Sequence, residues 1–352
     1  MVVRDMNKQQ RSFFLIVVIS LFSGFVRAQG ANEKTIRPGV LWNDASGKTI
    51  NAHGGCVVYF DGLYYWYGEE KVEGLSEKEH ADGGIHCYAS SNLIDWHDQG
   101  MVLSLTKEDT LSDLSFDCNQ DRPKVIYNSA TKKFVLFFKL YLRKKGTSVA
   151  YVGVAVSDSP LGPFDYKHKF LGGNSPNGTG DFAMYQDDNG ELYQLTVRKP
   201  DKTFVIGKMR DDYLLPDGKY EVCEGITKHT EAPAVIKRNG IYHMLSSGST
   251  GWEPNAARYF TSNSLYGPWE YHGNPCEGIN PHNGLGKAKT YGGQSSFIIT
   301  VFGKKDAFIA CFDINKPEHP YDSRYIWLPI DFESDKISIS WLDSWDLNVF
   351  QE

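Results

Sequence analysis

After residue 30 the chain shows little helical periodicity. Short runs rich in Val, Ile, Tyr, Phe and Trp recur instead, separated by Gly, Asn and Asp, which is the pattern of half-buried strands joined by tight turns. Five of these runs are paired around a turn: CVVYFDGLYYWYGE (56–69), KVIYNSATKKFVLFFKLY (124–141), AMYQDDNGELYQLTV (183–197), AVIKRNGIYHMLSS (234–247) and FIITVFGKKDAFIACFD (297–313). Asn189-Gly190 and Asn239-Gly240, set between alternating apolar runs, are strong hairpin signals. Each hairpin is followed by a second pair of short strands. The outer turns SPLGPF (159–164) and SLYGPW (264–269) repeat one another.

Two hairpins make a four-stranded sheet, and radial repetition of such sheets makes a propeller. The pattern therefore predicts an all-β fold, a five-bladed β-propeller of four-stranded antiparallel blades. A β-sandwich is the alternative, but it gives no reason for five copies of one four-strand phrase.

In a propeller the first strand of each blade lines the central channel. Nine residues before the five hairpin turns stand His53, Asp121, Asp181, Glu231 and Gln294. All five are polar, and quasi-symmetry directs them at one small volume. Solvated strand caps are the plain alternative, since acidic residues are common at turns. Like charges crowded near an axis raise at least one carboxyl pKa, and a carboxyl held protonated near neutral pH can act as a general acid. Cleavage of a glycosidic bond with inversion needs such an acid and a base about 6.5–9.5 Å away across the sugar.

Composition agrees with this reading. Aromatics make up 14% of the 352 residues and there are 34 glycines, as expected for a turn-rich β protein and often for one that stacks flat ligands or sugars. The net charge of −6 and the absence of Lys/Arg blocks argue against nucleic acid as a partner. Trp252 and Tyr291 are candidate stacking residues, with Trp66 a weaker one inside a strand. Glu69, Arg122 and Asn255 are further candidates for substrate contact. The acidic run EEKVEGLSEKEHAD (69–82) is expected to be an exposed loop, and His80 and His86 to be structural. Six cysteines (56, 87, 118, 223, 276 and 311) form no C-x-x-C pair and are expected as buried free thiols. No metal or other cofactor is expected, because no Cys/His cluster has ligand spacing.

At the N-terminus, Arg4, Lys8 and Arg11 precede an apolar run from Phe13 to Val26 and small residues ending at Ala28. That is the form of a secretory signal over 1–28, followed by a single catalytic domain over 29–352 that is secreted or periplasmic. No membrane contact is expected once the signal is removed. A closed propeller offers little strand edge, so the chain is expected to be a monomer.

The segments NAHGG with YYWYGE, DRPKVIYN, GVAVSDSPLGPF, DDNGELY, EAPAV, SSGSTGWEPNAAR, YGGQSSF and YIWLPI resemble glycoside hydrolase family 43, in particular its exo-β-1,3-galactanase-like branch. The resemblance implies a five-bladed propeller, inverting hydrolysis and plant-polysaccharide substrates. It makes Glu231 the general acid and Asp181 the residue that orients it and tunes its pKa. His53 stands where the family usually places an aspartate base. Gln294 then becomes a stand-in that holds the water, and Asp121, one methylene shorter than the usual glutamate, a base, water holder or sugar ligand. Gly180-Asp181-Phe182 replaces the family's Arg-Asp-Met, which leaves the sugar open. An exported exo-β-1,3-galactosidase acting on an oligosaccharide or polysaccharide is the leading expectation. Its alternatives are an α-L-arabinofuranosidase, β-galactofuranosidase or β-xylosidase of the same fold, or a carbohydrate-binding propeller that lacks catalysis.

Overall fold

The computed structural model describes residues 35–80, 82–251 and 253–350. The expected signal segment and Trp252 lie outside the described residues. Strands β1–β4 (His53–Phe60, Leu63–Lys71, Asp82–Ser90, His97–Ser104) form the first antiparallel sheet in sequence order. Strands β5–β8 (Asn119–Asn128, Lys133–Tyr141, Tyr151–Ser157, Asp165–Phe170) form the second. The third holds β9–β12 (Thr179–Gln186, Leu192–Arg198, Phe204–Met209, Pro216–Val222), and the fourth β13–β16 (Thr230–Arg238, Ile241–Gly248, Arg258–Ser262, Glu270–Gly273). After β17 (Cys276–Glu277), strands β18–β20 (Gln294–Thr300, Phe308–Ile314, Arg324–Pro329) make a three-stranded sheet. The last two strands, β21 (Asp331–Glu333) and β22 (Lys336–Ser340), join β17 in a further three-stranded sheet, with β17 and β22 parallel.

The expected five four-stranded blades are thus corrected to a propeller of six sheets, four of four strands and two of three. The physical reason lies at the C-terminal end. After Pro329 the ladder with β19 stops, and the following residues pair with one another and with a two-residue strand borrowed from the connection before β18. So short a strand carries no periodicity to read.

Hairpin turns follow the local chemistry. Asp61-Gly62 and Asn239-Gly240 have positive φ at both positions, the conformation of a two-residue hairpin loop that matches strand twist. Apolar side chains fill the wedges between neighbouring sheets. Val135, Phe137, Phe182 and Met184 join the second and third sheets, and Leu195, Ile206, Met244 and Phe260 the third and fourth. The first sheet meets β18–β20 through Trp66, Trp96, Tyr325 and Trp327, and an Ile36–Trp345 bridge ties the two ends of the described chain together there. Trp66 is therefore core rather than a sugar platform, with its ring centroid 4.7 Å from those of both Tyr325 and Trp327. All six cysteines are buried and unpaired.

The inner strands β1, β5, β9, β13 and β18 neighbour one another in a closed ring. Each carries a bulge at or just after its polar entry residue, with register breaks after His53, Asp121, Glu231 and Ser295 and, on β9, between Thr179 and Phe182 around Asp181. In three of the five the next residue adopts the left-handed conformation: Gly54 (φ 59°), Arg122 (φ 56°) and Ala232 (φ 53°). A bulge bends the strand and re-aims a side chain, and here it turns the entry residues toward the axis.

Candidate active site

The ring opens into a cavity of about 520 Å³. His53, Asp121, Asp181, Glu231 and Gln294 all line it, as do Glu69, Arg122 and Asn255. Five inner strands bring the five entry side chains together from positions spread over more than 240 residues of chain, while Glu69 comes from β2 and Asn255 from the loop after β14. Tyr291 does not join them. It is fully buried, its hydroxyl is bonded to the carbonyls of Glu277 and Ile339 at 2.7 Å each, and its ring packs on Trp341 at 5.3 Å. It braces the outer three-stranded sheet, which corrects the expectation of a stacking residue. The aromatic residue with a six-membered ring that lines the cavity, among the described residues, is Tyr141.

Arg122 is the hub. Its guanidinium donates to the Gln294 side-chain oxygen and to the Ser295 carbonyl (2.7 Å), and pairs with Asp181 at 3.1 Å. Its own backbone N–H donates to Glu69 Oε1 at 2.7 Å. Lys139 bridges Asp121 (2.9 Å) and Asp181 (2.7 Å). Burial works to raise the Asp181 carboxyl, but Arg122 and Lys139 overcome it and hold the group well below the usual carboxylate range.

Glu231 has the opposite environment. Burial, and then the Asp181 charge, push its pKa up, against a hydrogen bond from Ser249 that favours the anion. Ser249 Oγ donates to its Oε2 at 2.6 Å, and Gln294 Nε2 to its Oε1 at 3.2 Å. Gln294 Nε2 also donates to Ser247 Oγ at 2.8 Å. With Arg122 on its oxygen, the Gln294 amide is fixed in one orientation.

The remaining carboxyls are also displaced. Burial drives Glu69 up to about 7, with Asp121 and Asp82 adding to the rise and Lys71 opposing it. Burial likewise raises Asp313 to about 6 against the nearby Arg122. His53 is held neutral, its pKa lowered to about 3 by burial and then by Lys71 and Arg324. Its ring lies against Tyr325 at 5.2 Å, and neither ring nitrogen has a partner among the described residues. Asn255 braces a turn, exchanging hydrogen bonds with the Gly248 backbone N–H (2.7 Å) and carbonyl (2.9 Å).

The run 69–82 departs from an exposed loop. Glu69, Lys71 and Asp82 are buried, and the Lys71 ammonium gathers Glu69 (2.9 Å), Glu77 (3.2 Å) and Asp82 (2.5 Å). His86 is structural, held between Glu70 (3.1 Å) and Asp98 (2.6 Å).

Lys139, Ser247 and Asp313 were not found from sequence, although a signal existed. They stand directly across the hairpin from the entry residues, in the pairs Asp121–Lys139, Glu231–Ser247 and Gln294–Asp313, just as Glu69 faces His53. Counting forward from each turn, as well as back, would have reached them.

Comparison with known proteins places this geometry. Residues 51–333 match the family model described as glycosyl hydrolases family 43. A family 43 β-1,3-galactosidase solved with galactodeoxynojirimycin superposes with a TM-score of 0.80 at 34% identity, over 89% of this chain and 100% of that one. A variant exo-β-1,3-galactanase from Phanerochaete chrysosporium, solved with β-1,3-galactotriose, gives a TM-score of 0.76 at 29% identity, over 90% of this chain and 69% of that one. A curated xylosidase/arabinosidase of Bacteroides ovatus is 24% identical over 65% of this chain and 80% of its own length.

Proposed function

The chain belongs to glycosyl hydrolase family 43, and from that premise we propose that it is an exported, exo-acting β-1,3-galactosidase that works by inversion on side chains of plant-type polysaccharides. The observation that carries the mechanism is the contrast between two neighbouring carboxyls. Asp181 is held ionised by Arg122 and Lys139, while Glu231 is pushed toward its protonated form. Environments that drive two acids apart assign their roles.

Glu231 then gives its proton to the departing glycosidic oxygen. Asp181 keeps that proton on Glu231 until it is needed, by charge repulsion rather than by contact with substrate. Water attacks the anomeric carbon from the opposite side, and its proton passes to Asp121. The Asp121 carboxylate meets Lys139 through Oδ2, and among the described residues no hydrogen bond engages Oδ1. Gln294, fixed by Arg122 and Ser247, presents a neutral amide that positions the water or a sugar hydroxyl. An amide is too weak a base to take the proton itself. Solvent afterwards removes the proton from Asp121 and restores the one on Glu231.

Exo action rests on the likeness to the exo-β-1,3-galactanase named above. The buried Lys124 ammonium donates to the carbonyls of Gly54 (3.1 Å), Gly55 (3.3 Å) and Pro123 (3.1 Å), and so ties the starts of β1 and β5 together. The galactose preference rests on the galactosidase and galactanase named above, and export on the basic and apolar N-terminal residues.

A panel of β-1,3-galactan and nitrophenyl β-galactoside, α-L-arabinofuranoside and β-xyloside, with proton NMR of the first-formed anomer, tests the proposal. Galactose of inverted configuration is expected, with Glu231→Gln losing about 10²–10⁴ of the rate. Release of arabinose or xylose alone would refute the substrate, a retained anomer the mechanism, and binding without turnover in the wild type the catalytic reading.

A further inference from the structure

Five cationic side chains line the cavity: Lys71, Arg122, Lys139, Lys199 and Lys202. The first three are matched by carboxylates. Lys71 meets Glu69, Glu77 and Asp82, Arg122 meets Asp181, and Lys139 meets Asp121 and Asp181. Lys199 and Lys202, on the turn between β10 and β11, form no ion pair among the described residues.

The Lys199 side chain is nevertheless held in place, and so is the Lys202 backbone. The Lys199 ammonium donates to the Thr147 carbonyl at 2.6 Å and stands 4.9 Å from the centroid of the Tyr141 ring. Lys139 lies 5.3 Å from the same centroid. The Lys202 carbonyl accepts the His229 N–H at 3.1 Å, which ties this turn to the segment that enters β13 just before Glu231. Lys202 is close enough for its charge to act on Glu231.

Lys199 and Lys202 feel Asp181, Asp121 and Glu231 only at a distance, make no direct ion pair among the described residues, and stand half-withdrawn from water beside a third cation, so they repel one another. The consequence is visible on Lys199, which burial, then Lys139 and Lys202, push down to about 8. A bound anion would relieve this repulsion, and the Tyr141 ring, over which the Lys139 and Lys199 ammonium groups sit, fixes where those charges are presented.

We propose that Lys199, Lys202 and Tyr141 form a subsite for an anionic sugar unit, a uronate or a sugar sulfate, carried by the galactan next to the bond being cut. The assignment rests on the β-1,3-galactosidase reading and names a feature of its natural substrate: galactan bearing acidic substituents is cut in preference to neutral galactan.

The test compares three β-1,3-galacto-oligosaccharides, one neutral, one carrying a glucuronate substituent and one carrying a sulfate ester. The quantity read is the ratio of kcat/KM for each acidic substrate to that for the neutral one. Two half-buried ion pairs correspond to a wild-type ratio of about tenfold at low salt. It should shrink at about 1 M salt, where the screening length is about 3 Å. Lys199→Gln/Lys202→Gln should bring the ratio close to one, while Lys202→Arg, which keeps the charge, should preserve it. The acidic substrate with the larger ratio identifies the anion. A wild-type ratio at or below one for both acidic substrates, or a ratio unchanged in the double variant, overturns the subsite and leaves the galactosidase reading intact. Failure to release galactose from all three substrates overturns that reading and the subsite with it.

Discussion

Glu69 offers the sharpest test of the electrostatics, because its charge works against the fold. The carboxyl is buried, its pKa is raised from 4.5 to about 7, and the rise is led by burial. Between these two values the folded state holds a proton that the unfolded chain has released. Stability therefore falls as pH rises from 4.5 toward 7, and levels off above it. Between pH 5 and pH 8 the difference amounts to about 2–3 kcal/mol charged to this one side chain. Glu69→Gln abolishes the titration. The variant also loses the Lys71 ion pair, whose pH dependence is already contained in the raised pKa, while an amide oxygen at the same place accepts from the Arg122 N–H at both pH values. Urea unfolding of both proteins at pH 5 and pH 8 gives the double difference directly. The variant should gain about 2–3 kcal/mol on the wild type between the lower and the higher pH. It should also lose activity, since the charge persists at a cost to stability where it serves the site. A stability difference that stays constant from pH 5 to pH 8 would refute the raised pKa and the burial argument behind it.

Other parts of the site make separate predictions. Lys139→Met leaves Asp121 without its cation while Asp181 keeps Arg122 at 3.1 Å, so one half-buried charge is orphaned. Urea unfolding at pH 7 should show a loss of about 2–4 kcal/mol, and a loss under about 1 kcal/mol would mean that the bridge is not formed. Asp181→Asn removes the like charge that helps to raise Glu231, so the Glu231 pKa falls. Because the acid must be protonated, the alkaline limb of the kcat/KM profile should move to lower pH, and a limb that stays in place would detach Asp181 from the acid.

Much of the site was legible in the sequence because a hairpin turn is a fixed reference point. Strand period and turn geometry together set the phase of His53, Asp121, Asp181, Glu231 and Gln294, and the cavity collects all five. What escaped was of two kinds. Lys139, Ser247 and Asp313 sit on second strands within apolar runs, where a single polar residue resembles an exposed edge until its cross-strand partner is considered. The sixth sheet, the buried ends of the run 69–82 and the inward packing of Tyr291 depend on contacts between segments far apart in the chain, which no local pattern encodes. Aromatic residues were the least legible. Trp66 and Tyr291 went to the core and the outer sheet, whereas Tyr141, at the end of an apolar strand, reached the cavity.

The bulges explain how one ring of strands can carry so dense a set of charges. In a regular strand consecutive residues point to opposite faces, so Asp121 and Arg122 could not both reach the axis. Both line the cavity, because Arg122 takes a left-handed conformation with φ 56°. For a bulky residue that conformation is strained by about 1–3 kcal/mol and persists only where its surroundings fix it. Here Glu69 accepts the Arg122 N–H at 2.7 Å, while the guanidinium is held by Gln294, Ser295 and Asp181. Gly54 makes the corresponding bulge in β1, where an added Cβ would stand 2.4 Å from Glu69 Oε1. Glu69 thus holds the Arg122 bulge and leaves room for nothing larger than glycine in the neighbouring one, whose N–H is held by Asp313. The strain at Arg122 and the unfavourable charge of Glu69 sustain each other, and together they set the Arg122 side chain between the acid's neighbour Asp181 and the amide of Gln294.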